Sequence, residues 1–295
     1  MNDTVVSKML NAVKVLESDL SKATAVTGQY DHFVEIRTDN VRIHNTDIDC
    51  EFEIEFDDDT EANEAEITIY NLTDKTINQF KNKGKITITA GYGTDTGVIF
   101  SGFVIAKKTY RDGADKVTTI TAVDDMKRVE KEVESISYAA GRKASYILKD
   151  LCKRVGLPIA VFKTARDYTY TDEVTVDGDL SKKIKEYATV CGVSAYVCKS
   201  KIYVRPLKDG DNTRFRLSAD TGLLSVAEFE EINDTDEYTD VIKGFEVECL
   251  LQHRVQTASI IELNSKAYKG TFRVQSGEHY YDGSDFITKM RIIQV

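Results

Sequence analysis

The sequence predicts a mainly β fold: two related antiparallel β units, each a barrel or a sandwich, flanking an α+β module and preceded by an N-terminal helix. Three observations carry this reading. Apolar and polar residues alternate over most of the chain. Helix-period stretches are confined to the N-terminus and the middle. One hairpin pattern is written twice, as DGADKVT from Asp112 and as DGSDFIT from Asp282.

Residues 3–26 come first. Val6, Met9, Val13, Leu16, Leu20 and Ala23 fall at alternating spacings of three and four, which is helical. The seam is about two and a half heptads long, short for a coiled coil. An amphipathic helix over residues 1–27 is therefore expected, packed on its own domain or on a neighbouring subunit, and ended by Gly28.

From Phe33 the period becomes two. FVEIRTDNVRI, CEFEIEF, AEITIYNL, GKITITAGY, VIFSGFVIAKKTY and KVTTITAVD alternate, separated by the turn clusters DDDTEAN, NKGK and YGTDTG. These are short, evenly spaced strands of a barrel or sandwich over residues 28–128. Within them NLTDKTINQF predicts a short helix capped by Asn71 or Thr73, with Ile77 and Phe80 inward.

The insert spans residues 129–207. KASYILKDLCKRVGLPI predicts a helix with Tyr146, Ile147, Leu151 and Val155 on one face, stopped by Gly156 and Pro158. DLSKKIKEYATVCG repeats the plan with Leu180, Ile184, Tyr187, Ala188 and Cys191, followed by the hairpin VSAYV–KIYVRP. Alternation returns over residues 208–295 in FRLSADTGLLS, AEFEEIN, DVIKGFEVECLL, ASIIELN, YKGTFRVQSGEHYY and FITKMRIIQV. The two matching hairpins thus fall one in each β unit, near its end, as an internal duplication would place them.

Composition limits function. Lys and Arg number 39 against 49 Asp and Glu, a net charge of −10 that disfavours nucleic-acid binding. Lys182, Lys183 and Lys185 read as a solvated helix face. No apolar run is long enough to span a membrane as a helix, and the N-terminus lacks the order of a secretory signal. Five cysteines without a CxxC pair, and four histidines, offer no zinc spacing; reduced, buried thiols are expected.

The acidic groups are the first candidates for chemistry. Asp57, Asp58, Asp59, Glu61 and Glu64 lack the ligand spacing of a calcium loop and read as a solvated hairpin loop. Asp112, Asp115, Asp282 and Asp285 frame the two Asp-Gly turns, where Asx bonds account for them; Asp236, Glu237 and Asp240 read the same way. His32, His44, His253 and His279 are scattered through β segments, and His279 reads as a surface or hairpin residue. No zinc-peptidase helix, hydrolase elbow or phosphate loop occurs. No catalytic, cofactor-binding or metal-binding residue is assigned, and a non-enzymatic protein is expected.

Four stretches carry a resemblance: AEITIYNLTDKTINQF, KITITAGYGTDTGVIFSGFV, LSKKIKEYATVCGVSAYVCKSKIYVRP and TFRVQSGEHYYDGSDFITKMRI. In this order the chain resembles the baseplate hub proteins of contractile phage tails and tailocins, the group with late-control D-type proteins and Gram-positive prophage hubs. The likeness covers most of residues 33–295. It implies two related barrel-like domains around an α/β insertion. It also implies a homotrimeric ring of pseudo-sixfold symmetry that joins a sixfold tail tube to a threefold central spike. The implied partners are the spike, the tube protein, other baseplate proteins and the tape measure. The implied place is the tail baseplate, after assembly in the host cytoplasm, with no membrane insertion and no specific nucleic-acid binding. The alternative readings are a tail-associated cell-wall hydrolase with acids around Asp57–Asp59, and a receptor- or carbohydrate-binding tail-tip protein.

Overall fold

The computed structural model describes residues 31–58, 62–124, 132–198, 201–234 and 239–295. The helix expected over residues 1–27 lies outside them.

The first β unit contains β1 (His32–Thr38), β2 (Arg42–His44), β3 (Cys50–Phe56), β4 (Glu64–Tyr70), α1 (Asp74–Ile77), β5 (Lys85–Tyr92), β6 (Asp95–Asp112) and β7 (Asp115–Val123). Alternation does what it predicts: in β3, Cys50, Phe52, Ile54 and Phe56 are buried while Glu53 and Glu55 are exposed. Thr73 caps α1, its hydroxyl accepting from the Thr76 amide, and Ile77 and Phe80 are buried. Asn71 has another task. It sits at positive φ, and its side-chain oxygen accepts from the Lys116 amide.

The insert contains β8 (Glu132–Tyr138), α2 (Ala144–Val155), β9 (Ile159–Phe162), β10 (Val174–Asp179), α3 (Leu180–Cys191), β11 (Ser194–Cys198) and β12 (Lys201–Arg205). Left-handed glycines end both helices, Gly156 at φ 86° and Gly192 at φ 66°. The face of α3 is buried as the spacing predicts. On α2 the buried stripe is Ala144, Ile147, Leu148, Leu151, Cys152 and Val155, and Tyr146 is 49% exposed beneath Arg142. Positions 146 and 147 lie about 100° apart on a helix, so one of them must leave the stripe. The strands β8, β9 and β10 are additional to the two helices and the hairpin expected for the insert. They are short and form small sheets, β8 with β10, and β9 alongside the β11–β12 hairpin.

The second β unit contains β13 (Asp211–Ser218), β14 (Leu223–Asp234), β15 (Thr239–Leu250), β16 (Ser259–Asn264), β17 (Lys269–Tyr281) and β18 (Phe286–Gln294). The segment FRLSADTGLLS is not one strand. A 3-10 turn at Ala219–Thr221, capped by Ser218 and Thr221 and released by Gly222 at φ 96°, breaks it. Leu223–Ser225 therefore continue into AEFEEIN as β14.

The two β units share a strand plan. The sheet path through the first is β3-β4-β7-β6-β5-β1, and through the second β14-β15-β18-β17-β16-β13. Both orders map onto each other in chain sequence. The hairpins β6–β7 and β17–β18 correspond, with Gly113 and Gly283 both at positive φ in their turns. A register irregularity lies between Val104 and Ala106 in one and between Val274 and Ser276 in the other, both 170 residues apart. The copies differ at one end. β1 pairs antiparallel with β5, whereas β13 runs parallel to β16, and β2 has no counterpart.

The units are not separate bodies. β17 pairs with β16 along its first half and with β3 along its second, so one sheet of 13 strands runs through both.

Candidate assembly interface

The seam between the β units is set by five residue pairs, from Gly277 opposite Phe56 to Tyr281 opposite Phe52. Side chains alternate across it. On the inner face Phe52, Ile54 and Phe56 meet His279 and Tyr281; the Phe56 and His279 rings lie 4.9 Å apart. The hairpin tip reaches further into the first unit. Phe286 packs on Tyr92 and His32, and the Tyr92 hydroxyl donates to the Phe286 carbonyl at 2.8 Å. Burial pushes the Tyr92 phenol up to about 12. Gly277 is required here: a Cβ would drive into the Phe56 ring and the Lys289 carbonyl.

The outer face of the seam is acidic. Glu55 faces Glu278, and Glu53 faces Glu66, two like-charge pairs directly across strands. Desolvation, then Glu278, Glu55 and Glu66, raise the Glu53 pKa. Beyond the seam, Glu278 pairs with Lys289 and Glu246 with Arg291 along an open cleft.

A second joint ties all three parts. Arg273 of β17 is fully buried; its guanidinium bonds Asp58 at 2.8 Å and donates to the Asp209 carbonyl at 3.0 Å. Beside it Tyr196 and Tyr203 stack at 5.3 Å, and Arg205 lies 5.0 Å from the Tyr203 ring centre while pairing with Asp211 at 2.9 Å. The Asn63 amide donates to the Val197 carbonyl, and the Thr257 hydroxyl donates to that of Asp57. A third contact is the Arg254–Asp95 fork, which holds the Asp95 carboxyl below its usual range.

The residues singled out from sequence are thus distributed among structural tasks. Asp58 is not a solvated loop acid: its side chain is 12% exposed, because Arg273 draws it inward. His279 is not a surface residue: it is 1% exposed, on the core face of β17, with Nδ1 2.8 Å from the Thr288 hydroxyl. His44 lies 3.3 Å from Glu35, and His253 lies 3.7 Å from Asp95. Asp282 forms the Asx turn, accepting from the Ser284 and Asp285 amides, which lowers its pKa. Asp115 accepts from Asn71. Lys182 and Lys185 are exposed, and Lys183 pairs with Glu186. Asp59, Glu61, Asp236 and Glu237 lie outside the described residues. All five cysteines are buried and none forms a disulfide, and burial pushes the Cys50 and Cys249 thiols to about 12. Among the described residues no three His, Cys, Asp or Glu side chains group to hold a metal, and no helix is long and apolar enough to cross a membrane.

These joints hold the β units and the insert together, and the fold they build is similar to that of known proteins. The family model for baseplate hub gp41 matches residues 45–271. The fold is similar to that of the tail protein from Neisseria meningitidis MC58, at a TM-score of 0.64 and 9% identity over 90% of this chain and 97% of that one. It is similar to the 43 kDa tail protein of prophage MuSo2 from Shewanella oneidensis, at 0.64 and 8% over 90% and 98%. It is also similar to the E. coli c3393 protein, described as a type VI secretion component resembling T4 tail proteins gp27 and gp5, at 0.58 and 8% over 88% and 76%. No curated protein matches the sequence. With most of its length inside the family model, the chain belongs to the baseplate hub gp41 family and is a structural protein of the phage tail baseplate.

Proposed function

We propose that this hub acts as a symmetry adaptor: three copies close a ring whose six β units match a sixfold tail tube on one side and a threefold central spike on the other. The observation that carries the reading is the repeated strand plan, with its hairpin recurring at a 170-residue offset. A closed ring needs compatible heterologous surfaces. A chain built of two equivalent units supplies two such positions per copy. On this reading residues 28–128 and 208–295 are the ring units, and the insert at 129–207 sits outside the repeat. The ring is not an enzyme and is assembled in the host cytoplasm. Its neighbours are the tube, the spike, other baseplate proteins and the tape measure. The acidic outer face around Glu53, Glu55, Glu66 and Glu278 supports a wall that repels DNA and lets it slide past.

Light scattering on the purified protein, alone and with its spike, tests the ring. A mass three times that of the monomer is expected. A monomer under both conditions, together with absence from purified baseplates, overturns the reading. Clearing of purified cell wall by the protein would overturn its non-enzymatic part.

A further inference from the structure

The seam between the β units is an interface seen in full, and the repeat says where its counterpart lies. At the seam, β3 lends its outer edge to the part of β17 that extends past β16. Under the repeat β3 corresponds to β14, and β17 to β6. Among the described residues neither counterpart carries a strand on the matching edge. β14 pairs only with β15 among the described residues. On that side of β6 the backbone bonds end at Val104, which bonds Lys83 and Gly84; from Ala106 onward its strand partner among the described residues is β7 alone, and the Lys107 ammonium donates to the Ile77 and Phe80 carbonyls. Residues Ala106–Asp112 of β6 are all exposed, whereas in β17 the corresponding His279 and Tyr281 are buried by β3.

We propose that β14 of one copy adds as an antiparallel strand to the free edge of β6 in a second copy, in the register of the seam. The proposal rests on the ring reading and names its contact. The hairpin turns align Gly277–Tyr281 with Lys107–Arg111. The pairings β3·β4 with β4·β7, and β14·β15 with β15·β18, align Phe52–Phe56 with Val226–Glu230. Lys107 then faces Glu230, Thr109 faces Glu228, and Arg111 faces Val226 with Glu228 one diagonal away. On the other face Lys108 meets Phe229 and Tyr110 meets Ala227.

The charges favour this occupant over others. The edge of β6 is basic through Lys108 and Arg111, with Lys107 beside them donating to the Ile77 and Phe80 carbonyls; that of β14 is acidic through Glu228, which Tyr268 bonds, and Glu230, which pairs with Lys243 across β14–β15. Two β14 strands brought together would oppose acid to acid. Two β6 edges would oppose base to base. Only the heterologous contact matches charge, and a heterologous contact is what builds a ring. Tyr110 is 45% exposed, an apolar surface that an added strand covers. Where the seam buries Phe52, Ile54 and Phe56, the second contact is charged, so it forms between finished chains and weakens with salt.

The test is a disulfide in that register. Directly opposed residues have Cα atoms about 4.5–5.5 Å apart, inside the range a disulfide spans. The full-length Thr109→Cys/Glu228→Cys variant is oxidised as purified protein and in assembled tail particles. Covalent multimers that vanish on reduction, closing at three chains in particles, are expected. Thr109→Cys/Phe229→Cys is expected to give none, since a one-residue step turns the side chain to the other face. In uncrosslinked protein, Arg111→Glu is expected to weaken association about tenfold or more, and Glu228→Arg in the same chain to restore it. Links through residue 229 but not 228, or trimers by mass without links from either variant, overturn the strand pairing and leave the ring standing. Monomers that enter no particle overturn both.

Discussion

Replacing Arg273 with Met measures what holds the three parts together. The perturbation removes a fully buried guanidinium and keeps an unbranched side chain of similar reach. Breaking a buried charge pair from one side costs about 3–5 kcal/mol, reduced here because Asp58 retains some exposure. The lost bond to the Asp209 carbonyl adds about 1 kcal/mol. Against this, Arg273 Nη2 has no hydrogen-bond partner among the described residues, and removing it recovers about 1–3 kcal/mol. The net is about 1–5 kcal/mol of destabilisation, centred near 3. In urea, with a slope of about 3 kcal/mol/M for a chain of this size, the midpoint falls by about 1 M. Asp58→Asn alone leaves the buried cation without its carboxylate and destabilises by a similar amount. The double variant is expected to lose at least about 2 kcal/mol less than the sum, because the uncompensated charge is then gone. Additive losses, or an unchanged midpoint for Arg273→Met, would refute the clasp.

Three further expectations follow from the same contacts. Gly277→Val forces a side chain into the Phe56 ring and the Lys289 carbonyl; it is expected to destabilise by about 3 kcal/mol or more, read by thermal melting, and a neutral result would mean the seam is looser than its geometry. Asp95 has its folded pKa lowered by Arg254, so its contribution is present above the unfolded value near 3.8 and lost as pH falls below it. With Asp95 43% exposed that contribution is only about 1 kcal/mol after screening, and Asp95→Asn should flatten the acid limb of a stability-versus-pH curve. The buried thiols, with Cys191 pushed up to about 11, should not react with an aromatic disulfide at pH 8 in the native state, while all five react in guanidinium; a fast-reacting native thiol would contradict the core.

Alternation made the strands legible, because a sheet with one wet face writes its period directly: CEFEIEF announces which side of β3 is buried. It does not announce what lies beside the strand. The pairing of β3 with β17 joins residues more than 200 positions apart, and any alternating strand has the right face for it. The same limit hid Asp58. Its acid-rich neighbours read as a loop, and its partner Arg273 stands 215 residues away inside an ordinary-looking strand. His279 lies in its hairpin as expected, but its burial is hidden for a related reason. GEHYYDG leads into a turn, and a histidine near a turn is usually wet, but β3 covers this one. The repeat was legible only as a shared turn. Its extent shows only in the strand pairing, where the turn, the bulge and the strand order agree.

The two copies of the plan also explain where the chain places its apolar surface. Phe52, Ile54 and Phe56 are at most 8% exposed, and at about 1.5–3 kcal/mol each they make the seam part of the fold. Their counterparts on β14 are Val226, Glu228 and Glu230, which leave that edge soluble before assembly. A chain with aromatic residues on both edges would present an open, sticky strand end to any sheet it met. Carboxylates on one edge and Lys107, Lys108 and Arg111 on the other keep each chain from pairing like edge to like edge, and reserve the contact for a partner of opposite sign. The duplication therefore diverged in chemistry while keeping its geometry. In the proposed ring one interface is permanent because it is dry, and its repeat is reversible because it is charged. The salt dependence of association, steep for the contact between chains and absent for unfolding of the seam, separates the two.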